Sequence, residues 1–286
     1  MDFPRWRLHN DAIRAKRGRR LGCPGRQRQT NRRIADMVFP IGDDNSDLRT
    51  VPAVNYVLIA LNVLVFVVFQ GLGANDTFTY KYATVPKEIA TGKDIVTNDR
   101  VIEDPISGRT FQAPGLQPTP GSVYITLLTS MFMHGGIAHL LGNMWFLWIF
   151  GDNVEDRMGH GRYLTFYLLT GLIASLSHVV MNLSGPSSEV PSLGASGAIS
   201  GVMGAYLALC PSRRVQVVMV RVVTVVPGYV AVGLWFLFQL VSGLGILGEG
   251  AQEGGVAYAA HIGGFLAGVA LAKPFVLGLD PARPAT

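Results

Sequence analysis

Apolar residues in this chain fall in long uncharged runs, and the charged residues are gathered between them. Six runs approach or reach the length of about 20 residues that a helix needs to cross a hydrocarbon core: Val54 to Gly71, Ile137 to Phe150, Tyr163 to Leu183, Leu193 to Cys210, Tyr229 to Leu247 and Val256 to Val276. Val123 to Met133 is too short to span and reads as an interfacial or re-entrant helix. Residues 73–121 read as a long mixed-charge loop with Pro and Gly, and 184–192 as a short Gly/Pro/Ser loop. The segment from Ile137 is expected to end in a charged turn, Gly151 to Arg157, with Asp152, Glu155, Asp156 and Arg157 solvated and ion-paired. Arg213, Arg214 and Arg221 punctuate a stretch to Pro227 expected to lie at the membrane interface. The fold class this pattern predicts is an all-α membrane protein, a six-transmembrane-helix bundle with a long first outer loop. Residues 1–50 form a basic cytosolic extension, partly disordered, 51–277 the six-helix domain and 278–286 a short cytosolic tail.

Composition supports this reading. Of the 286 residues, 49% are hydrophobic and only 15% charged, against about 25% charged in a soluble domain. Half of the 24 Lys and Arg lie in residues 1–50, so the net charge of +5 largely describes that extension. A basic tail ahead of a membrane segment reads as a topology signal or a lipid contact, and no nucleic-acid partner is expected. With the N-terminus inside, the inner segments hold 19 Lys and Arg and the outer loops 5. The positive-inside rule then places both termini in the cytosol. No secretory signal is seen, and Met37 is an alternative start, opening the run Met37-Val38-Phe39-Pro40. Cys23 in the extension and Cys210 at the far end of the fourth segment, both on the side read as cytosolic, give no reason to expect a disulfide framework.

Three of the apolar runs carry polar groups at matching depth. Segments two, four and six all run from outside to inside. His139 and Asn143 lie near the start of the second, Ser196 near the start of the fourth, and His261 five residues into the sixth. At 1.5 Å per residue that puts them roughly 5–10 Å below the outer edge. Polar groups in a bilayer are costly and usually face the bundle interior with a task. Gly197, Gly201 and Gly204 follow Ser196, and Gly264 and Gly268 follow His261, at small-xxx-small spacings that let helix backbones approach. A close crossing of segments four and six would carry Ser196 toward His261. A serine hydroxyl needs a base to take its proton, and a neutral imidazole suits that role. The oxyanion formed on attack needs donors, and Asn143, His139 on the same helical face, and the Ser196 N–H are candidates.

These motifs, His139-Leu140-Leu141-Gly142-Asn143, Gly194-Ala195-Ser196-Gly197 and Ala260-His261-Ile262-Gly263-Gly264 with Gly268 beyond, resemble those of the rhomboid intramembrane serine proteases of bacterial type, over about residues 37–277. The resemblance implies a rhomboid-like bundle that cleaves transmembrane substrates with a Ser/His dyad. By position, Ser196 is the nucleophile, His261 the base, and His139 and Asn143 help form the oxyanion hole. Some members carry a Tyr four residues after the nucleophile, beneath the base. Here Ser200 stands there, so His261 must be oriented by a packed apolar residue or by the Ser200 hydroxyl. The Trp-Arg pair that some members carry in the first outer loop is absent.

Other readings fare less well. His134 reads as loop support, and His160 and His178 show no evident partner. Trp145, Trp148 and Trp235 read as packing or belt aromatics. No His-Glu-x-x-His motif is present, and no cofactor or metal is expected. The six segments hold no carboxylate for an aspartyl protease or a proton-coupled transporter. Clustering at one depth disfavours a small-solute channel. A non-catalytic client-binding relative would lack one of the dyad residues. The expected partners are the transmembrane-protein substrates that the resemblance implies and the lipid bilayer, with the Gly-rich stretch 248–255 as a lid.

Overall fold

The computed structural model describes residues 39–103, 110–219, 222–243 and 258–279. The expectations for Met37, the 248–255 lid, and all but the start of the C-terminal tail lie outside the described residues. The described chain is mostly helical. In order it comprises strand β1 (Phe39–Asp43), helix α1 (Ala53–Leu64) prolonged by a wider π turn (Val65–Phe69), α2 (Asp76–Tyr82), α3 (Pro86–Thr91), β2 (Arg100–Glu103), β3 (Thr110–Ala113), α4 (Thr126–Thr129) flanked by 3-10 turns, α5 (Ile137–Met158), α6 (His160–Met181), α7 (Ser196–Leu209), β4 (Arg214–Met219), β5 (Val222–Pro227), α8 (Gly228–Gly243) and α9 (Tyr258–Val276).

Two helices, α6 and α9, are by themselves long and apolar enough to cross a bilayer. The helical stretch Val123–Phe132 and α5 make a third candidate, bent by 77° at the break between them. The α1 segment, α7 and α8 are apolar but shorter. At 14 residues, α7 is only about 21 Å long, well short of the roughly 30 Å hydrocarbon core. It lies at the centre of the bundle against α5, α6, α8 and α9, and every residue from Gly197 to Tyr206 is buried.

Glycine sets the closest packing in the bundle. A Cβ at Gly204 would meet the Phe265 carbonyl and lie 2.9 Å from the Val269 nitrogen. One at Gly268 would meet the Gly201 carbonyl oxygen and lie 2.7 Å from its carbon. One at Gly264 would meet the Gly197 carbonyl. The α7–α9 seam is thus backbone against backbone, as the small-residue spacing predicts.

Four stretches depart from the sequence reading. The expected charged turn 151–157 is the last two turns of α5. Asp152 and Glu155 there are buried rather than solvated, because they serve as acceptors for other segments. Glu155 accepts from the Val54 and Asn55 amides at 2.9 and 2.7 Å, capping α1, whose own N-cap residue is Pro52. His160, expected to have no partner, sits 2.5 Å from the same carboxylate.

Residues 39–50, assigned to the loosely ordered extension, are ordered. Strand β1 pairs antiparallel with β4, Phe39 opposite Val218, and β4 pairs with β5. The stretch to Pro227, expected at the interface, is this β4–β5 hairpin. Its Val-rich alternation favours strand, with Val215 and Val217 buried and their neighbours outward. Residues 73–121, read as loop, hold α2, α3 and the β2–β3 hairpin. The Asn75 side chain caps α2, Pro86 opens α3, and Gly92, at φ 66°, closes it.

Outside the bundle, Asp43 accepts from the Asn153 amide at 2.6 Å and the Tyr206 hydroxyl at 3.0 Å. Burial, reinforced by the neighbouring Asp152 carboxylate, pushes the Asp43 carboxyl up to about 7.

Candidate functional site

Ser196 is the first residue of α7, where a helix has N–H groups without intrahelical partners. The chain reaches it through Gly194, whose φ of 129° no β-carbon residue adopts easily. A Cβ at Gly194 would also lie 2.9 Å from His139 Cε1 and 3.7 Å from Ser196 Oγ, so this turn fits only glycine. The approach is held on both sides. Ser192 and Thr84 exchange backbone hydrogen bonds of 2.8 and 2.9 Å, and the Gly194 amide donates to the Ser130 carbonyl at 2.9 Å. The Thr84 hydroxyl lies 2.8 Å from both the Thr126 carbonyl and Ser130 Oγ. The stretch after α2 therefore braces the loop that aims Ser196.

His261, one turn into α9, faces Ser196 across the glycine seam. Its Nε2 lies 2.8 Å from Ser196 Oγ. The residue is 9% exposed, so little bulk water competes for that hydrogen bond. On its other side Nδ1 lies 2.8 Å from Gln239 Oε1 of α8. The ring packs beside Trp235 at 6.2 Å and Tyr258 at 6.4 Å between centroids. Ser200, one of two alternatives for orienting the base, does not do so: its hydroxyl donates back to the Ser196 carbonyl at 2.6 Å.

The remaining site residues lie on α5. His139 Nδ1 accepts from the Gly135 amide at 3.3 Å, so the ring proton sits on Nε2, the atom turned toward Gly194. Asn143, one turn on, is buried, and its Nδ2 has no partner among the described residues. Both line a cavity of about 720 Å³ together with Ser196, His261, Trp235 and Gln239. All four sequence-derived residues are thus brought to one cavity. His134, expected to support its loop, is fully buried, and its backbone is gripped by Gln70, which accepts from its amide and donates to its carbonyl at 2.9 Å each. Its ring meets His139 edge-on at 5.2 Å. Among the described residues no three His, Cys, Asp or Glu gather as a metal site.

The arrangement can move a proton from a hydroxyl to an imidazole and offer two side-chain N–H donors beside it. Sequence reasoning missed Gln239, Thr84 and Ser130. Gln239 carried a usable signal, as an amide in the middle of an apolar segment. Thr84 and Ser130 carried none, because Thr and Ser are ordinary in loops and short helices.

Comparison with known proteins bears on the same region. The family model described as Rhomboid domain matches residues 121–277, which contain Ser196, His261, His139, Asn143 and Gln239. The chain is 36% identical over 148 residues to "Rhomboid protease GluP" of Bacillus subtilis, covering 52% of this chain and 26% of that protein. It is 28% identical over 215 residues to "Rhomboid protein 1, mitochondrial" of Saccharomyces cerevisiae, covering 75% and 51%. It is 31% identical over 143 residues to the human "Presenilin-associated rhomboid-like protein, mitochondrial", covering 50% and 36%. The chain spans about a quarter to about half the length of these curated relatives.

Proposed function

The chain belongs to the rhomboid family, which is membrane-embedded, and from that premise we propose that it is an intramembrane serine endopeptidase with Ser196 as nucleophile and His261 as general base. The observation that carries the reading is the 2.8 Å separation of Ser196 Oγ and His261 Nε2 on the wall of a 720 Å³ cavity.

His261 Nε2 takes the hydroxyl proton as Oγ bonds to the scissile carbonyl carbon of a substrate segment. The oxyanion so formed is met by the His139 Nε2–H, the Asn143 amide and the Ser196 N–H. Collapse breaks the C–N bond, and the departing amine takes the proton from Nε2. Water, deprotonated by the same nitrogen, then releases the acyl group from Oγ.

The substrates are transmembrane segments of other membrane proteins, cut near the outer face. Helix-weakening, small-residue sequences are preferred, because an intact helix shields its peptide bonds. The proposed topology has six spans, both termini cytosolic and the site opening outward in the cell membrane, supported by the bias of Lys and Arg toward one side. The domain takes in strand β1, which pairs with β4, as well as residues 51–277. The test is cleavage of a tagged single-span protein in lipid, together with labelling by a fluorophosphonate or isocoumarin. Ser196→Ala and His261→Ala abolish cleavage while expression and topology persist, and the probe attaches at Ser196. Retained cleavage by Ser196→Ala defeats the assignment.

A further inference from the structure

We propose that Gln239 is the positioning residue for the general base: its side-chain oxygen selects the His261 tautomer that can take the serine proton. This rests on the protease reading above.

Gln239 Oε1 is only an acceptor, and it lies 2.8 Å from His261 Nδ1. Two acceptors do not face each other at that distance, so Nδ1 carries the ring proton. The lone pair is then on Nε2, 2.8 Å from Ser196 Oγ. The opposite tautomer would donate from Nε2 to the serine and leave the hydroxyl with no base. Both residues are nearly shut off from solvent, Gln239 at 7% and His261 at 9% exposure, so an exchanging water shell does not make this choice.

Among the described residues the local alternatives are used elsewhere or are unsuited. The Ser200 hydroxyl is turned to the Ser196 carbonyl. Trp235 and Tyr258 flank the ring at 6.2 and 6.4 Å, which limits its tilt without choosing a tautomer. The ionisable groups bearing on His261 are His139 from α5, His178 from α6 and Tyr258 on its own helix. Among the described residues no carboxylate joins them. A neutral amide orients the ring where a carboxylate would be costly to bury in a membrane. Gln239 is one turn beyond Trp235 on α8, and both line the cavity holding Ser196. The third partner of the dyad therefore comes from a different helix than either member.

The experiment compares wild type, Gln239→Met and Gln239→Glu in detergent or lipid. It uses cleavage of a tagged single-span substrate and 15N spectra of histidine-labelled protein. Wild type shows His261 protonated at Nδ1 and bare at Nε2. Gln239→Met shifts that pattern toward the other tautomer and lowers kcat by about 10- to 100-fold with KM unchanged, a part of the 10²–10⁴ that general-base catalysis supplies. Gln239→Glu restores kcat at alkaline pH. Its carboxylate stabilises the imidazolium, so the acid limb of kcat/KM moves to higher pH. Wild-type kcat in Gln239→Met with unchanged His261 shifts overturns the proposal, and so does an unmoved acid limb in Gln239→Glu. If Gln239→Met does not fold, the near-isosteric Gln239→Glu decides by that limb alone. A wild type that cleaves no better than Ser196→Ala sinks the protease reading instead, and the nitrogen spectra still test Gln239.

Discussion

Replacing Gly264 with Ala tests how closely the dyad depends on the α7–α9 seam. The new methyl would point into the carbonyl of Gly197, the residue after Ser196. It would stand 3.1 Å from the carbonyl carbon and 3.2 Å from Ala174 Cβ, with the oxygen closer still. A carbon rarely approaches a carbonyl oxygen closer than about 3.3 Å. The obstacle is main chain in the middle of a buried helix, so no rotamer change relieves it. The helices must part by on the order of 1 Å, and a misplacement of that size in reacting groups costs roughly 100-fold. Ser196 Oγ and His261 Nε2, now 2.8 Å apart, would be carried beyond hydrogen-bond range. We expect Gly264→Ala to lose about two orders of magnitude in kcat/KM on a single-span substrate in lipid. Gly161→Ala is the control, since a Cβ there meets nothing within 4 Å. It should keep full activity and gain about 0.5–1 kcal/mol in stability. Gly264→Ala within threefold of wild type would refute the argument that backbone contact sets the dyad distance.

Other substitutions test the proposed oxyanion donor Asn143 and the fastenings at Asp43 and Glu155. Asn143→Ala should lower kcat by about 100- to 1000-fold with little change in KM, the cost of one oxyanion donor; an equal rise in KM with kcat preserved would place Asn143 in substrate binding instead. Asp43 is held neutral to about pH 7 in the fold, against about 4 in an unfolded chain. Its contribution is therefore full below about pH 4 and is lost as pH rises through 7, by at most about 4 kcal/mol. Asp43→Asn should flatten the fall in melting temperature between pH 5 and 8 and raise it at pH 8; a slope equal to that of wild type counts against the assignment. Glu155→Ala strips the Val54 and Asn55 amides of their acceptor and should destabilise by about 2–3 kcal/mol in thermal unfolding. An unchanged melting temperature would mean that water replaces the carboxylate.

The four site residues were legible because each breaks a rule. Ser196, His261, His139 and Asn143 are polar side chains inside apolar runs, and a bilayer tolerates few of those without a reason. The seam was legible for the complementary reason: the glycines recur at helical spacing where no turn is needed. Gln239 breaks the same rule as Ser196 and His261, yet it lies in none of the three motifs, and only the fold reveals that it faces His261. The β4–β5 hairpin was hidden because Val is common both in strands and in membrane helices, so Val215 to Val226 fits either. Strand β1 was hidden because its partner, Val218, lies 179 residues beyond Phe39, and five residues show no period without a neighbour. The caps at Asn75, Pro86 and Gly92 were present, but α2 and α3 are seven and six residues long, too short for a hydrophobic stripe to announce them.

The bareness of the seam bears on how such a site could be moved or copied. Helices with ordinary side chains between them run about 8–10 Å apart, axis to axis. Ser196 and His261 grafted alone onto such a pair would face each other across a layer of leucine. What would have to be transplanted is the run of missing side chains at Gly197, Gly201, Gly204, Gly264 and Gly268, together with the turn at Gly194 that only glycine can make. The heritable unit is then the absence as much as the two reactive groups, and a descendant that kept both but filled one gap would hold them too far apart to share a proton.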